Sequence, residues 1–244
     1  MKSENEENSD MDVLVIDTEG FGGTDENINH DNKIFIFSLL LSSYFIFNSV
    51  GHIDENALNN LSLIINLAKE IQTKASSSQQ GDEIVNSFPS FLWVVRDFAL
   101  KLVDKEGNSI KAKDYLEQAL ELQKGVSDST ESKNRMRRMF KHFFKDRDCI
   151  TLIRPCEKES DLQKIDEVLN ENLRGEFVNQ AKLARQKILK KTKPKIIRER
   201  QLTGSMLIEL SKAYIEAINK GGVPNIDNAW KSIVKNESYK HLKG

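Results

Sequence analysis

The stretch from Val13 to Gly20 holds the residues whose types and spacing point most directly to chemistry. Four apolar residues with high β propensity run straight into Asp17, and Glu19 and Gly20 follow closely. An apolar run of this length predicts a buried parallel strand, and ligands of open α/β sheets bind just beyond the carboxyl ends of such strands. A carboxylate there can hold Mg²⁺ through water, and a glycine lets its N–H approach a phosphate closely. The stretch therefore predicts a phosphate and metal site.

A second strand-like run supplies a residue that can select a base. Phe91 to Val95 is apolar and ends in Arg96, Asp97 and Phe98. A carboxylate at this strand end can accept hydrogen bonds from the N1–H and the exocyclic amine of guanine, whereas adenine offers no such donor pair on that edge. We therefore expect Asp97 to select guanine.

The most apolar segment, Ile34 to Phe47, is predicted to form a buried helix and strand rather than a membrane span. It is shorter than the ~20 residues that a bilayer-spanning helix needs. It is also interrupted by Ser38, Ser42 and Ser43. Asp31 or Asn32 can cap a helix through about Leu41, and residues 44–47 then form the next strand. A helix followed by a strand is typical of parallel α/β proteins.

The other elements are predicted from apolar spacing and from turn residues. These are an amphipathic helix over 54–74, a surface loop over 73–82, a turn over 105–108, a helix over 114–124, a mobile polar loop over 127–134, a core strand over 149–153, helices over 161–169 and 175–190, a helix from 202 with apolar residues at 207, 210, 214 and 218, and a last helix beginning near 227.

Two basic segments each leave two interpretations open. The segment from Lys190 to Arg200 is either a solvated hinge or a basic patch for anionic lipid or nucleic acid, and the hinge is favoured. A second cluster alternates with methionine and phenylalanine, and it is either an amphipathic helix with a solvated basic side or a surface for capping a nucleotide and for self-association. Its basic members are Arg135, Arg137, Arg138, Lys141 and Lys145.

Together these stretches resemble the guanylate-binding proteins, large GTPases related to the atlastins within the dynamin-like group. The matching stretches are 17–20, 31–51, 93–98, Phe143 and Phe144, Arg154-Pro155, and 202–230. The resemblance implies an α/β fold, a P-loop-NTPase-like three-layer sheet with flanking helices, followed by the start of an α-helical stalk. It divides the chain into an acidic disordered tail over 1–12, a partial G domain over 13–192, and a hinge with the first stalk helices over 193–244.

The resemblance also implies a role for each matching residue. Asp17 resembles the Mg²⁺-water ligand of switch II, Glu19 the glutamate that helps to order the attacking water, and Gly20 the γ-phosphate contact. Arg96 and Asp97 resemble the pair that replaces the Asn-Lys-x-Asp guanine motif of smaller GTPases, although the family often has threonine where Val94 stands. Ser132 to Phe144 resembles the loop and helix that cap the guanine and pair two G domains. The implied substrate is GTP, with Mg²⁺ as cofactor.

The sequence departs from the family in its phosphate-binding loop. A Gly-x-x-x-x-Gly-Lys-Ser/Thr motif is expected several dozen residues before switch II, yet no glycine of this sequence is followed by lysine. A micromolar nucleotide site is worth about 8 kcal/mol, and each charge-assisted hydrogen bond contributes about 1.5–3 kcal/mol, so losing several donors can remove the affinity. The same loop carries the family's catalytic arginine finger, worth about 10³–10⁵ in rate in related enzymes. We therefore expect little hydrolysis.

Two hypotheses account for this departure. In the first, the sequence begins inside a GTPase domain whose phosphate loop lies upstream. In the alternative, the chain is a catalytically inactive pseudo-GTPase that acts as an interaction module for full-length relatives.

Composition predicts a cytoplasmic protein with little general electrostatic attraction to other macromolecules. Lys and Arg total 36 against 37 Asp and Glu, which gives a net charge of −1 and no strong attraction to nucleic acid or anionic membrane. Lys2 to Asp12 has no apolar stretch and does not resemble a signal peptide or an anchor. Cys149 and Cys156 form no ligand pattern with the histidines, so reduced thiols are expected. The predicted partners are guanine nucleotide and a second G domain, with membrane contact only through the helical region of the family.

Overall fold

The structure is a computed structural model that describes residues 11–18, 28–59, 61, 88–220, 229–231 and 233–235. The elements in chain order are α1 (Ile28–Leu41), β1 (Tyr44–Val50), β2 (Ser90–Arg96), α2 (Ala112–Ala119), α3 (Asp128–Phe143), β3 (Arg147–Thr151), α4 (Glu159–Leu162), a 3₁₀ turn (Asn170–Asn172), α5 (Gly175–Lys191), β4 (Ile196–Ile197), β5 (Arg200–Gln201) and α6 (Gly204–Asn219).

The described strands β1, β2 and β3 form a parallel sheet with β2 in the centre. Phe45 lies opposite Phe91 across the first pair, and Cys149 lies opposite Trp93 across the second. A central parallel strand is covered on both faces, which explains why β2 is a continuous apolar run instead of an alternating one. Successive side chains of β2 therefore point into two separate layers.

One face of the sheet carries the main aromatic core. The neighbours of the Phe91 ring include Phe140, Phe144 and Phe45, at centroid distances of 4.9 Å, 4.8 Å and 6.2 Å. Because these rings come from α3, the residue that follows α3, and β1, the contacts fix helix and sheet together. Helix α1 joins the same layer through Phe35, whose ring lies 5.1 Å from Phe45 in an edge-on arrangement.

Helix α5 covers the opposite face. Asp148 of β3 lies opposite Leu92, so their side chains share that face. The buried Asp148 carboxylate accepts hydrogen bonds from the ammonium groups of Lys187 at 2.9 Å and Lys191 at 2.7 Å. These contacts attach the last turns of α5 to the beginning of β3. Helices on both faces of the sheet confirm the predicted layered α/β fold.

A second core joins α1 to the helical segment that ends the described chain. Ile36 and Leu40 are buried against Leu210 and Tyr214 of α6, on the side of α1 that faces away from the sheet. Helix α1 is therefore buried on two sides, which accounts for the nearly unbroken apolar run over its last eight residues, Ile34 to Leu41. No helix of the described residues is long and apolar enough to cross a membrane.

Most of the local predictions are confirmed. The sequence predicted α1, β1 and β2, the helices matching α5 and α6, and the turn over 105–108. Helix α1 begins at Ile28, however, so Asp31 and Asn32 lie inside it and do not form its cap. Helical structure over 55–59, with buried Leu58 and Leu61, agrees with the start of the predicted helix, while most of 54–74 and all of 73–82 lie outside the described residues. Strand β3 begins two residues earlier than predicted, and helix α2 ends five residues earlier.

The prediction of a buried strand at Val13 to Ile16 is wrong for this structure. These residues have no strand structure, and Leu14, Val15 and Ile16 are 69%, 71% and 49% exposed. A parallel strand is stabilised by neighbours along its edges and on both faces, and none of the described strands pairs with this run. Apolar composition alone is therefore not sufficient to form a strand.

The predicted mobile loop over 127–134 is helical instead. Helix α3 begins at Asp128 because the Ser127 side chain accepts a hydrogen bond from the Thr130 N–H and because Asp128 and Glu131 occupy the first turn. Its polar residues are not all solvated, since Asn134 is buried. The polar composition of residues 127–134 therefore did not predict their helical structure.

Two further segments differ from the predictions. The helix predicted over 161–169 is a short helix, α4, followed by turns and the 3₁₀ turn. The segment from Lys190 to Arg200 is solvated only in part: Lys190 and Lys193 are exposed, but Lys195 donates to the Ser42 carbonyl oxygen at 2.8 Å, and Ile197 is buried. Ile197 belongs to a small hairpin in which Arg198 and Glu199 have positive φ.

The Asp148 contacts give a prediction about stability and pH. Burial alone would raise the pKa of this carboxyl, but hydrogen bonds from Lys187 and Lys191 outweigh it, and the pKa lies below its usual value. Its contribution is therefore complete above the unfolded-state pKa of about 3.9 and is lost as the pH falls through the lower folded-state pKa. We expect Asp148→Asn to lower the free energy of unfolding at pH 7 by about 1.5–3 kcal/mol, measured by urea unfolding.

The matched control for this prediction is Glu167→Gln, which removes a carboxylate from an exposed pair with Lys164. It should change stability by less than about 0.5 kcal/mol. A difference between Asp148→Asn and the native chain that persists unchanged down to pH 2 would contradict the role given to the carboxylate.

Candidate functional site

The loops that follow the three described strands are tied together at one edge of the sheet. The Gly51 N–H donates to the Arg96 carbonyl at 2.8 Å, and the Leu152 N–H donates to the Val95 carbonyl at 2.9 Å. The Phe98 N–H in turn donates to the Leu152 carbonyl at 2.9 Å. Hydrogen bonding therefore continues past the strand ends, and the residues immediately beyond β2 are held in place.

Asp97 has a backbone conformation that few side chains adopt. Its φ is +53°, in the left-handed region, where a residue other than glycine loses roughly 1–2 kcal/mol and Asp or Asn is tolerated best. Its side chain is half-buried, and the preceding Arg96 is exposed. Unfavourable backbone conformations persist where the surroundings enforce them, and they are concentrated at functional sites.

Phe98 and Tyr115 hold the backbone next to Asp97 in place. Phe98 is buried, and its ring lies 5.4 Å from the Tyr115 ring in an edge-on arrangement. The Tyr115 hydroxyl oxygen accepts a hydrogen bond from the Ile53 N–H at 2.9 Å, so one side chain links the loops after β1 and β2. Burial raises the pKa of Tyr115, which therefore stays neutral. With Phe98 fixed inside, Asp97 is left at the sheet edge.

Among the described residues, no contact places Asp17 beside Arg96 and Asp97 at this edge of the sheet. Asp17 is exposed, and its Oδ1 accepts a hydrogen bond from the Thr18 N–H at 3.1 Å. Within the described ranges, no hydrogen bond or ion pair joins Asp17 to Arg96 or Asp97. Glu19 and Gly20, the predicted water-ordering and γ-phosphate residues, lie outside the described residues.

The available donors and acceptors fit part of a guanine nucleotide and its metal. The Asp97 carboxylate is an acceptor of the type that the guanine N1–H and amine require. Asp17 offers carboxylate oxygen, the ligand that Mg²⁺ prefers, and this ion retains several waters and needs only one or two carboxylates. In the described part of the chain, no group of three or more His, Cys, Asp or Glu residues is placed to hold a metal by itself.

Helix α3, the predicted cap, is attached by an ion pair of the buried Arg137 to the first residue of the helical segment over 55–59. The Arg137 guanidinium is bound to the Glu55 carboxylate, and its Nε also donates to the Ala119 carbonyl at 3.1 Å. Gln123 adds a hydrogen bond from its Nε2 to Glu55 at 2.7 Å. Arg137 therefore joins three elements near the carboxyl end of the sheet and does not belong to a solvated basic side.

The residues around Arg137 that sequence reasoning missed are Glu55, Gln123 and Asn134. The Asn134 side chain exchanges two hydrogen bonds with the Gln123 backbone, at 2.7 Å and 2.9 Å. Glu55 is 82 positions from Arg137, so no periodicity could have paired them. Asn134 gave no local signal either, because it lies among other polar residues in the first half of α3.

The two cysteines do not contribute to this site. Both are buried and free, and burial together with the neighbouring Asp148 raises the pKa of the Cys149 thiol to about 12. A thiol in such surroundings stays protonated and is a poor nucleophile.

A parallel sheet with helices on both faces, and with a strained acidic residue at the carboxyl end of its central strand, defines an α/β protein of the kind that binds ligands at this edge. The family model described as the N-terminal domain of guanylate-binding protein matches residues 2–196, and the one described as the C-terminal domain matches residues 198–241. The chain belongs to the guanylate-binding protein family.

Individual relatives agree with this assignment. Guanylate-binding protein 4 of Homo sapiens is 36% identical over 232 residues, which cover 93% of this chain and 36% of that protein. Guanylate-binding protein 7 of Mus musculus is 34% identical, with the same coverage, and guanylate-binding protein 2 of Mus musculus is 33% identical, covering 93% of this chain and 39% of that protein. The chain thus spans little more than a third of the length of these relatives.

Adjacent arginines of α3 give a matched pair for testing the buried network. The Arg137 side chain is 4% exposed and paired with Glu55, whereas the Arg138 side chain is 47% exposed and paired with Glu131. We expect Arg137→Ala to cost about 1.5–3 kcal/mol in chemical unfolding, because it removes the buried charge-assisted contact to Glu55, which keeps only Gln123 and the more distant Lys133, and leaves the Ala119 carbonyl without the Arg137 donor.

For the exposed neighbour, Arg138→Ala should cost less than about 1 kcal/mol. A double-mutant cycle with Glu55→Ala then isolates the pair, and the expected coupling energy lies within about 0.5–3 kcal/mol. Equal effects of the two arginine variants, or zero coupling, would contradict a structural role for the Arg137–Glu55 pair.

Proposed function

We propose that this chain provides a guanine-nucleotide-binding domain in which Asp97 selects the base. The observation that carries the proposal is the left-handed, half-buried Asp97 directly after the central strand of a chain that belongs to the guanylate-binding protein family. Its two carboxylate oxygens match the two N–H donors on one edge of guanine. Arg96, exposed beside it, is the second member of the proposed base-reading pair.

The remaining parts of the proposed site follow the roles of the family. Asp17 holds Mg²⁺ through water, Glu19 orders the attacking water, and Gly20 donates its N–H to the γ-phosphate. Mg²⁺ supplies charge neutralisation on the phosphates when bound. Helix α3, fixed by the Arg137–Glu55 pair, caps the base and pairs two copies of the domain. The proposed reaction is hydrolysis of GTP in the cytoplasm.

A second candidate is a pseudo-GTPase that binds full-length relatives. One observation favours it: the apolar run before Asp17 is exposed and is not part of the described sheet. A chain that binds the base without the amide cradle and lysine of a phosphate loop would gain only part of the binding free energy of a nucleotide site. The two candidate functions differ in whether the γ-phosphate of GTP is hydrolysed.

The test of the base reader is Asp97→Asn, since asparagine tolerates the positive φ and changes only the hydrogen-bonding pattern. The native chain should bind a fluorescent GTP analogue with Mg²⁺ more tightly than the matching ATP analogue. Asp97→Asn should lose at least about tenfold in GTP affinity, because an amide accepts at one atom and donates at the other. It should gain affinity for xanthosine triphosphate, whose second carbonyl accepts a hydrogen bond from that amide.

Asp166→Asn is the control for charge, because Asp166 is exposed and far along the chain in the turns after α4. It should leave both affinities unchanged. Equal binding of GTP and ATP by the native chain, or identical GTP affinity in Asp97→Asn, would refute the proposed base selection.

Phosphate release distinguishes the two candidate functions. Mg²⁺-dependent GTP hydrolysis that is reduced by Asp17→Asn supports the GTPase assignment, and the rate should be slow because the charge stabilisation of a phosphate loop is worth about 10³–10⁵. Guanine-selective binding with no hydrolysis, together with association of the chain with a full-length relative at micromolar concentration, supports the pseudo-GTPase. Sedimentation velocity of the two proteins, alone and mixed, provides the second readout.

A further inference from the structure

A cavity of about 400 Å³ lies at the edge of the sheet opposite the proposed nucleotide site. It is lined by Asp146, Lys187, Lys190, Lys191 and Lys193. Asp146 immediately precedes β3, and its Oδ2 accepts a hydrogen bond from the Ser90 hydroxyl, at the first residue of β2, at 2.8 Å. The cavity is therefore at the amino-terminal ends of the strands.

This position separates the cavity from the base reader by the length of a strand. Asp97 follows the carboxyl end of β2, which has seven residues. A parallel strand rises about 3.3 Å per residue, so the two edges are roughly 20 Å apart. A nucleotide held by Asp97 at one edge leaves the opposite edge free.

Two of the four lysines are fixed by a buried carboxylate. The ammonium groups of Lys187 and Lys191 both donate to Oδ2 of Asp148, at 2.9 Å and 2.7 Å, and the Asp148 side chain is only 5% exposed. An ammonium group has three donors, and both lysine side chains keep more than a third of their surface exposed. They are thus held in place while retaining donors for a further acceptor.

The other two lysines are exposed, and their side chains have no hydrogen bond or ion pair with any described residue. They are Lys190, in the last turn of α5, and Lys193, beyond its end. The four ammonium groups outnumber the carboxylates of Asp146 and Asp148 by two charges, whereas the whole chain has a net charge of −1. Favourable interaction with the helix dipole explains cations in the last turn of α5, but it does not explain Lys193 or their grouping around a cavity.

We propose that this cavity binds a small anion bearing two or more phosphate groups. Each phosphate monoester carries about −1.5 to −2 charges and three strong acceptor oxygens, which match an excess of ammonium donors. The volume is within the range of about 300–1,000 Å³ for small-molecule sites. Lys187 and Lys191 form the fixed side of the site, and Lys190 and Lys193 close on the ligand from the solvent side.

Calorimetric titration of the full chain with inositol hexakisphosphate tests this proposal. The Lys190→Gln/Lys193→Gln variant removes two free cations and preserves both Asp148 contacts, so the fold should be unaffected. The expected loss of affinity is at least about tenfold. The control variant, Lys182→Gln/Arg185→Gln, makes the same change in net charge at exposed positions of the same helix outside the cavity, and it should bind like the native chain.

Three outcomes would overturn the proposal: no binding to the native chain, equal losses in the two double variants, or competition by GTP that depends on Asp97. Asp97→Asn should bind inositol hexakisphosphate like the native chain, so this test is independent of the proposed GTP site. Thermal melting of each variant checks that it is folded, and a Lys190→Arg/Lys193→Arg variant, which keeps both charges, should retain binding.

The source of the phosphates is distinguished by two further probes. Inositol 1,4,5-trisphosphate represents a free ligand, and phosphatidylcholine vesicles containing phosphatidylinositol 4,5-bisphosphate present the same phosphates on a membrane. Binding of either that is lost in Lys190→Gln/Lys193→Gln supports the site, and tighter binding of the vesicles identifies a lipid headgroup. Vesicle binding that is unchanged in this variant would place the contact elsewhere and contradict the proposal.

Discussion

Burial of β2 between its two neighbouring strands and two helical layers is the constraint on which the rest of the structure depends. Phe91, Leu92, Trp93 and Val95 are all fully buried, and they face alternate layers. Because β2 is fixed along both edges and both faces, its two ends are fixed points. Asp97 follows one end of β2. At the other end, the Ser90 hydroxyl donates a hydrogen bond to Asp146. Both proposed sites use the rigidity of the same strand.

Helix α1 extends this constraint to the helical segment. Phe35 and Leu39 belong to the aromatic core over the sheet, whereas Ile36 and Leu40 belong to the core formed with α6. Interiors packed at the density of organic crystals transmit displacement instead of absorbing it. A shift of α1 relative to β1 must therefore be accommodated by α6. The two regions matched by separate family models thus share a buried helix.

The sequence was sufficient where the signal was local. The apolar run of β2 and the spacing of Leu210, Tyr214 and Ile218 in α6 predicted both the element type and its burial. The run of β1 predicted a buried strand, but β1 is only partly buried, and Ile46 is 41% exposed. Asp97 was found for the same reason, because it follows an apolar strand directly. Its positive φ could not be predicted, since it results from the Phe98–Tyr115 contact and from the hydrogen bond between the Phe98 N–H and the Leu152 carbonyl.

Where the outcome depended on distant residues, the sequence was not sufficient. The run at Val13 to Ile16 has strong β propensity, but propensity is realised in a sheet only when a neighbouring strand is present. Arg137 was correctly placed in an amphipathic helix, yet its partner Glu55 and its burial depend on how that helix packs. The Asp148 contacts were missed for a related reason: nothing in the sequence around Asp148, which directly precedes the predicted strand over 149–153, indicates contacts with two lysines on a helix some forty residues later.

The net charge of the chain is near zero, although charged residues are grouped locally at both proposed sites. With 36 basic and 37 acidic residues, the molecule has little long-range field to steer an anion. Attraction then has to be local, within a Debye length of about 8 Å at physiological ionic strength. Over the ~20 Å between the two edges of the sheet, charges at one edge are screened from a ligand at the other. Any coupling between the sites must therefore be mechanical, through β2 and the helices packed on it, and mechanical coupling is insensitive to added salt, whereas electrostatic coupling weakens with it.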